Sequence, residues 1–136
     1  MYGTLSEVSS SLESLSLVGN ALVGSIPKSI QQSSSLTDLQ LSLNRLSGTL
    51  NKDAFQYLPR NSTISLFSNR LSGDIPKSMD SFNKNNANIL TGNLFYCSTD
   101  GPSSNLKNHE TYSCGTSSID FYEYIYIVLS KVTGFF

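Results

Sequence analysis

The chain has one histidine, two cysteines, no excess of either charge and no long apolar run, and each shortage closes a class of function. His109 sits in a polar loop beside Asn108 and Glu110, without metal-helix spacing or a recognisable nucleophile. With Cys97 and Cys114 it gives at most three protein ligands where a structural zinc takes four, so no metal or cofactor is expected. Neither a G-x-S-x-G elbow, a phosphate-binding glycine loop nor a kinase motif is present, and the carboxylates are scattered; no catalytic residue is nominated and the chain is not expected to be an enzyme. Nine basic against ten acidic residues leave a net charge of -1, without the basic footprint that nucleic acid requires. The cleanest apolar run, Tyr124 to Leu129, is only six residues long and Lys131 ends it, whereas a membrane span needs about 20.

What the chain does have is serine, asparagine and a period. Its 136 residues suit one domain. Charged residues make up only 14%, a composition unusual for a cytosolic enzyme and familiar in extracellular repeat proteins. The segments "LESLSLVGNALVG" (12–24) and "LTDLQLSLNRLSG" (36–48) share one frame. "NSTISLFSNRLSG" (61–73) keeps it with Asn61 in the first leucine slot. "NANILTGNLF" (86–95) is a degenerate copy that keeps Leu90, Asn93 and Leu94, with Asn88 where a leucine should stand. The repeat asparagines Asn20, Asn44, Asn69 and Asn93 are spaced by 24, 25 and 24 residues.

Physics assigns a job to each slot. In "LSL" (15–17), "LQL" (39–41) and "ISL" (64–66) two apolar side chains two residues apart face the same side of a strand, and stacked turns pair those strands into a parallel sheet. No turn buries its leucines alone, so stability is nearly a sum of neighbour terms. Asparagines at the strand exits are expected to hydrogen-bond backbone groups of their own and adjacent turns, a ladder that compensates their burial. Gly24, Gly48 and Gly73 permit tight bends.

The frame L-x-x-L-x-L-x-x-N-x-L resembles the leucine-rich repeat family, and "LVGSIPKSI" (22–30) and "LSGDIPKSM" (71–79) resemble its plant-type L-x-G-x-I-P subclass. "LSGTLNKDAF" (46–55) departs from it, with Leu50 and Asn51 in place of Ile-Pro. The resemblance implies an α/β solenoid: a right-handed superhelix with a short-stranded parallel sheet on its concave face and an irregular or 3-10 convex side. It implies leucine-rich repeats over 1–96, about four with the first and last partial, then a cysteine-containing capping region over 97–118. The element Gly92-Asn93-Leu94-Phe95-Tyr96-Cys97 is similar to cysteine-bearing flanks that close extracellular repeat domains, which implies a Cys97–Cys114 disulfide; two free thiols are the competing reading, and the one a cytosolic location requires. Asn61-Ser62-Thr63 is the only N-x-S/T sequon, an N-glycosylation acceptor if the chain is secreted.

The tail at 119–136 turns abruptly apolar and aromatic; it reads as a truncated transmembrane segment, as an element packed on the cap, or as out-of-frame sequence. Gly3-Thr-Leu5 matches the G-x-I element, so the chain starts inside a repeat and is expected to be a fragment of a longer protein or a degenerate gene copy.

The frame also places a recognition surface, on the concave side chains between the core leucines. One column holds Ser14, Asp38, Thr63 and Ala87; the next, Ser16, Gln40, Ser65 and Ile89; a third, Val18, Ser42, Phe67 and Thr91, with Leu43 beside it. Val18, Asp38, Gln40, Leu43, Thr63, Ser65, Phe67 and Ile89 are the nominated contacts for a protein or peptide ligand, with Phe67 as the aromatic anchor. The resemblance implies a recognition module of a cell-surface receptor-like protein, extracellular and with membrane anchoring in the full-length chain. A purely structural spacer and a secreted enzyme inhibitor are the alternatives.

Overall fold

The computed structural model describes residues 2–83, 85–97 and 101–115. Each turn lays down two short strands, and the stack sorts them into two parallel sheets. The first sheet contains β2 (Ser14–Ser16), β4 (Asp38–Gln40), β6 (Thr63–Ser65) and β8 (Ala87–Asn88), in that order. The second contains β1 (Tyr2–Thr4), β3 (Ala21–Gly24), β5 (Arg45–Thr49), β7 (Arg70–Asp74) and β9 (Leu94–Tyr96). Short helical pieces return the chain, α1 (Lys28–Gln31) in one turn and a 3-10 helix at Lys77–Ser81 in another. Pro27 and Pro76 immediately precede them, where the absent N–H is one that no helix would use.

The core runs along the solenoid axis. Leu39 and Ile64 of the first sheet, with Leu36, Leu41 and Leu66 flanking its strands, meet Leu22, Leu46 and Leu71 from the second, all buried. Each side chain so buried contributes about 1.5–3 kcal/mol, which offsets the cost of ordering such short strands. Leu12, Leu15 and Leu17 of the first turn are only half-buried, because a turn at the end of a stack has one neighbour.

Two features differ from the sequence expectation. A second sheet, of five strands, accompanies the single expected short-stranded sheet. The fourth turn is also shifted by one residue. Ile64 pairs with Ala87 and Ser65 with Asn88, so Ala87 and Ile89 point into the core and Asn88 takes the outward position. Ile89, nominated as a ligand contact, is 0% exposed. The extra residue is absorbed before Asn93, whose side chain donates to the carbonyl four residues back (Ile89 O, 2.8 Å), where Asn44 and Asn69 reach back three.

Beyond β9 the chain continues the stack. Cys97 and Cys114 are joined in a disulfide. Leu106 is buried and bridges Ala87, Lys107 N donates to Ala87 O at 2.9 Å, and Gly115 bridges Tyr96. Tyr112 Oη donates to the carbonyls of Asn93 (3.2 Å) and Phe95 (3.0 Å), and burial pushes its phenol up to about 12. The end of the 97–118 region and the whole of the 119–136 tail lie outside the described residues.

Candidate recognition face

A face can recognise only what its scaffold holds still, and here the scaffold is the asparagine ladder. Asn44 Nδ2 donates to Leu17 O (2.9 Å) in the preceding turn and to Leu41 O (3.1 Å) and Ser42 O (3.3 Å) in its own, while Oδ1 accepts from Leu22 N at 3.1 Å. Asn69 repeats the pattern with Leu41 O and Leu66 O (both 3.0 Å) and Leu46 N (3.0 Å). Asn93 does so with Leu66 O, Ile89 O and Leu71 N. Asn20 donates within its own turn, to Leu17 O (3.0 Å) and Val18 O (3.3 Å). Each central carboxamide thus ties one turn to the next and also links the exits of the first sheet to the starts of the second. Its burial is matched by three or four partners.

The residue before each of these asparagines has a left-handed backbone: Gly19 (φ 70), Leu43 (φ 59), Ser68 (φ 55) and Gly92 (φ 76). Glycine adopts this geometry freely, whereas for leucine it costs about 1–2 kcal/mol. Nothing in the sequence announces it at Leu43 or Ser68.

The outward residues of the first sheet form the columns Ser14, Asp38, Thr63 and Ser16, Gln40, Ser65, Asn88. Asp38 Oδ1 accepts from Gln40 Nε2 (2.8 Å) and Thr63 Oγ1 (2.7 Å), and these hydrogen bonds, Gln40's first, hold its carboxyl below the usual carboxylate range. Ser65 differs from its nomination in being buried, with its hydroxyl donating to Ser42 Oγ at 3.3 Å. At the strand exits Leu43 N donates to Phe67 O and Gly19 N to Ser42 O, which brings Val18, Leu43 and Phe67 to adjacent turns. Leu43 is 50% and Val18 42% exposed; Phe67 is half-buried. The face therefore has a polar, self-bonded half at Asp38, Gln40 and Thr63 and an apolar half at Val18, Leu43 and Phe67.

Other chemistry is sparse. A cleft of about 690 Å³ lined by Lys52, Lys77, Asp74, Asp80, Tyr96 and Pro102, among others, lies on the side of the second sheet and shares no residue with the face. His109 Nδ1 is 3.0 Å from Leu106 O and its Nε2 3.8 Å from Glu110. No group of three or more metal-ligating side chains forms among the described residues, and none of their helices is long and apolar enough to cross a membrane.

A leucine rich repeat family model matches residues 10–71. A receptor protein kinase-like protein of Arabidopsis thaliana is 36% identical over 83 residues, 61% of this chain and 11% of its own length. The leucine-rich repeat ectodomain of the Arabidopsis receptor kinase HAESA, solved in complex with an N-terminally extended IDA peptide hormone, superposes with a TM-score of 0.59 at 33% identity, covering 70% of this chain and 16% of that one. The Arabidopsis thaliana BIR3–SERK2 complex gives 0.55 at 31% identity, covering 85% and 56%. The chain thus spans only a small part of the first relatives it matches. Repeating strands, a continuous asparagine ladder and these likenesses agree: residues 10–71 carry leucine rich repeats, and the chain resembles the leucine-rich repeat ectodomains of plant receptor kinases.

Proposed function

We propose that the chain is a recognition module of a cell-surface receptor-like protein, extracellular and non-enzymatic, and that it binds a peptide or protein through the outward face of the β2-β4-β6-β8 sheet. The observation that supports this most directly is Leu43. Its backbone is held in a conformation that two of the other three turns give to glycine, while half of its apolar side chain stands in solvent. Both features cost free energy in the unbound chain, and a ligand that covers Leu43 recovers the second. Val18 and Phe67 extend the same apolar patch. Asp38, Gln40 and Thr63 offer a fixed carboxylate, an amide and a hydroxyl beside it, suited to a peptide with an apolar residue next to a hydrogen-bond donor.

The likeness to an ectodomain solved with a peptide hormone and to the BIR3–SERK2 complex supports the module reading, though not the choice of face. A face mutant tests that choice. Peptides selected from a displayed library on the full chain are expected to bind a Leu43→Gly, Phe67→Ala double variant at least tenfold more weakly, with the melting temperature of the variant nearly unchanged. Selected peptides that bind the variant equally well would move the site elsewhere. The spacer reading draws on the self-bonded half of the face, where Asp38, Gln40 and Thr63 satisfy one another without a partner.

A further inference from the structure

Asn61 is a side chain whose modification chemistry the fold leaves open. It begins the only N-x-S/T sequon in the chain, and it occupies a slot where the second turn buries Leu36. An asparagine that copied Leu36 would be sealed in the core. Instead the chain turns at Arg60–Asn61, Ser62 goes inside with its hydroxyl donating to Leu36 O at 3.0 Å, and Asn61 is exposed. The hydrogen bonding of the carboxamide is then one-sided. Oδ1 accepts from Asn83 Nδ2 at 2.8 Å, and Asn83 Nδ2 also reaches Arg60 O at 3.1 Å, while Nδ2 of Asn61 has no acceptor among the described residues. Asn44, Asn69 and Asn93 are the reverse, each buried with Nδ2 committed to two or more carbonyls.

We infer that Asn61 carries an N-linked glycan, attached through its exposed amide nitrogen. The donor is an oligosaccharide activated as a lipid pyrophosphate: the N–C1 bond forms as the C1–O bond to the pyrophosphate breaks, the lipid pyrophosphate leaves, one amide proton is lost to a base, and Oδ1 remains an acceptor, so the Asn83 hydrogen bond survives in the glycosylated chain. The remaining requirement, a hydroxyl two residues on, is met by Thr63. The disulfide fits a compartment in which such transfer occurs. Position gives the glycan a consequence. Asn61 precedes β6, on the edge of the face next to Thr63 and Asp38, whereas Val18, Leu43 and Phe67 follow their strands on the opposite edge. The sugar is thus attached at the edge of the face away from Val18, Leu43 and Phe67.

The site is tested without any ligand. The full chain is expressed through a eukaryotic secretory pathway, and the secreted, disulfide-bonded product is mapped by mass spectrometry before and after amidase removal of N-glycans. The expected result is one glycan per chain, with Asn61 converted to aspartate by the amidase and the glycan gone in Asn61→Gln. Secreted, disulfide-bonded chain with an intact, unmodified Asn61 amide would overturn the inference, whatever the face binds.

Discussion

At the scale of single residues, the ladder and the left-handed positions make separable predictions. Asn44→Ala leaves Leu22 N without its acceptor and takes one of two donors from each of Leu17 O, Leu41 O and Ser42 O, so it should cost about 1–3 kcal/mol, read as a lower melting temperature with peptide binding by the folded fraction unchanged. Asn20→Ala, whose described bonds stay within its own turn, should cost less; equal losses would show that the cross-turn bonds contribute little. Glycines separate backbone strain from steric conflict. A Cβ at Gly19 meets nothing within 4 Å, whereas one at Gly92 stands 2.8 Å from Ser68 Cα. Gly19→Ala should therefore cost about 1 kcal/mol, from its left-handed backbone alone, and Gly92→Ala at least twice that in denaturant titrations. The asparagines were legible because a carboxamide that recurs once per turn among core leucines can be buried there only by bonding the backbone around it. Leu43's backbone was not, since leucine has no preference that reveals a left-handed site.

Elements are where the sequence was hardest to read. Strands β4 and β6 announce themselves through alternating core leucines. The second sheet does not: β5 and β7 read Arg-Leu-Ser-Gly-Thr and Arg-Leu-Ser-Gly-Asp, each with a single buried leucine, a glycine and no alternation, and they pair because the ladder stacks their backbones. The fourth turn misleads for a related reason. Counting back from Asn93 puts Asn88 in a core slot that Ala87 fills and Ile89 on the outward face, although Leu90, which the same count places in the core, is buried there. The capping element yields a pH prediction. Tyr112 is neutral in the fold up to about 12, above the ordinary phenol value near 10, so the stability it contributes is complete below pH 10 and lost as pH rises from 10 towards 12. Half-exposed as the ring is, the loss should be about 1–2 kcal/mol, and Tyr112→Phe should flatten that limb of the pH–stability curve. Separately, reduction of Cys97–Cys114 should lower stability by about 3 kcal/mol, measured with and without reductant.

For the whole molecule, burial is graded along the axis. Leu39 is buried on both sides by neighbouring turns, whereas Leu15, its counterpart in the first turn, is half-buried. Leu39→Ala should therefore cost about 2–5 kcal/mol and Leu15→Ala clearly less, and amide exchange should be slowest through β4 and β6 and fastest through β1 and β2. Uniform protection along the stack would contradict nearest-neighbour stability. The extra residue of the fourth turn shows what such a stack does with errors. It sits between Ile89 and Asn93, and by Asn93 the chain is back in phase: Oδ1 meets Leu71 N at 3.0 Å, the distance at which Asn69 meets Leu46 N. A ladder that re-registers the chain once per turn keeps miscounts from accumulating. A one-residue excess in the arc between two asparagines is thus corrected within that arc, and the pitch of the array is the same on both sides of it.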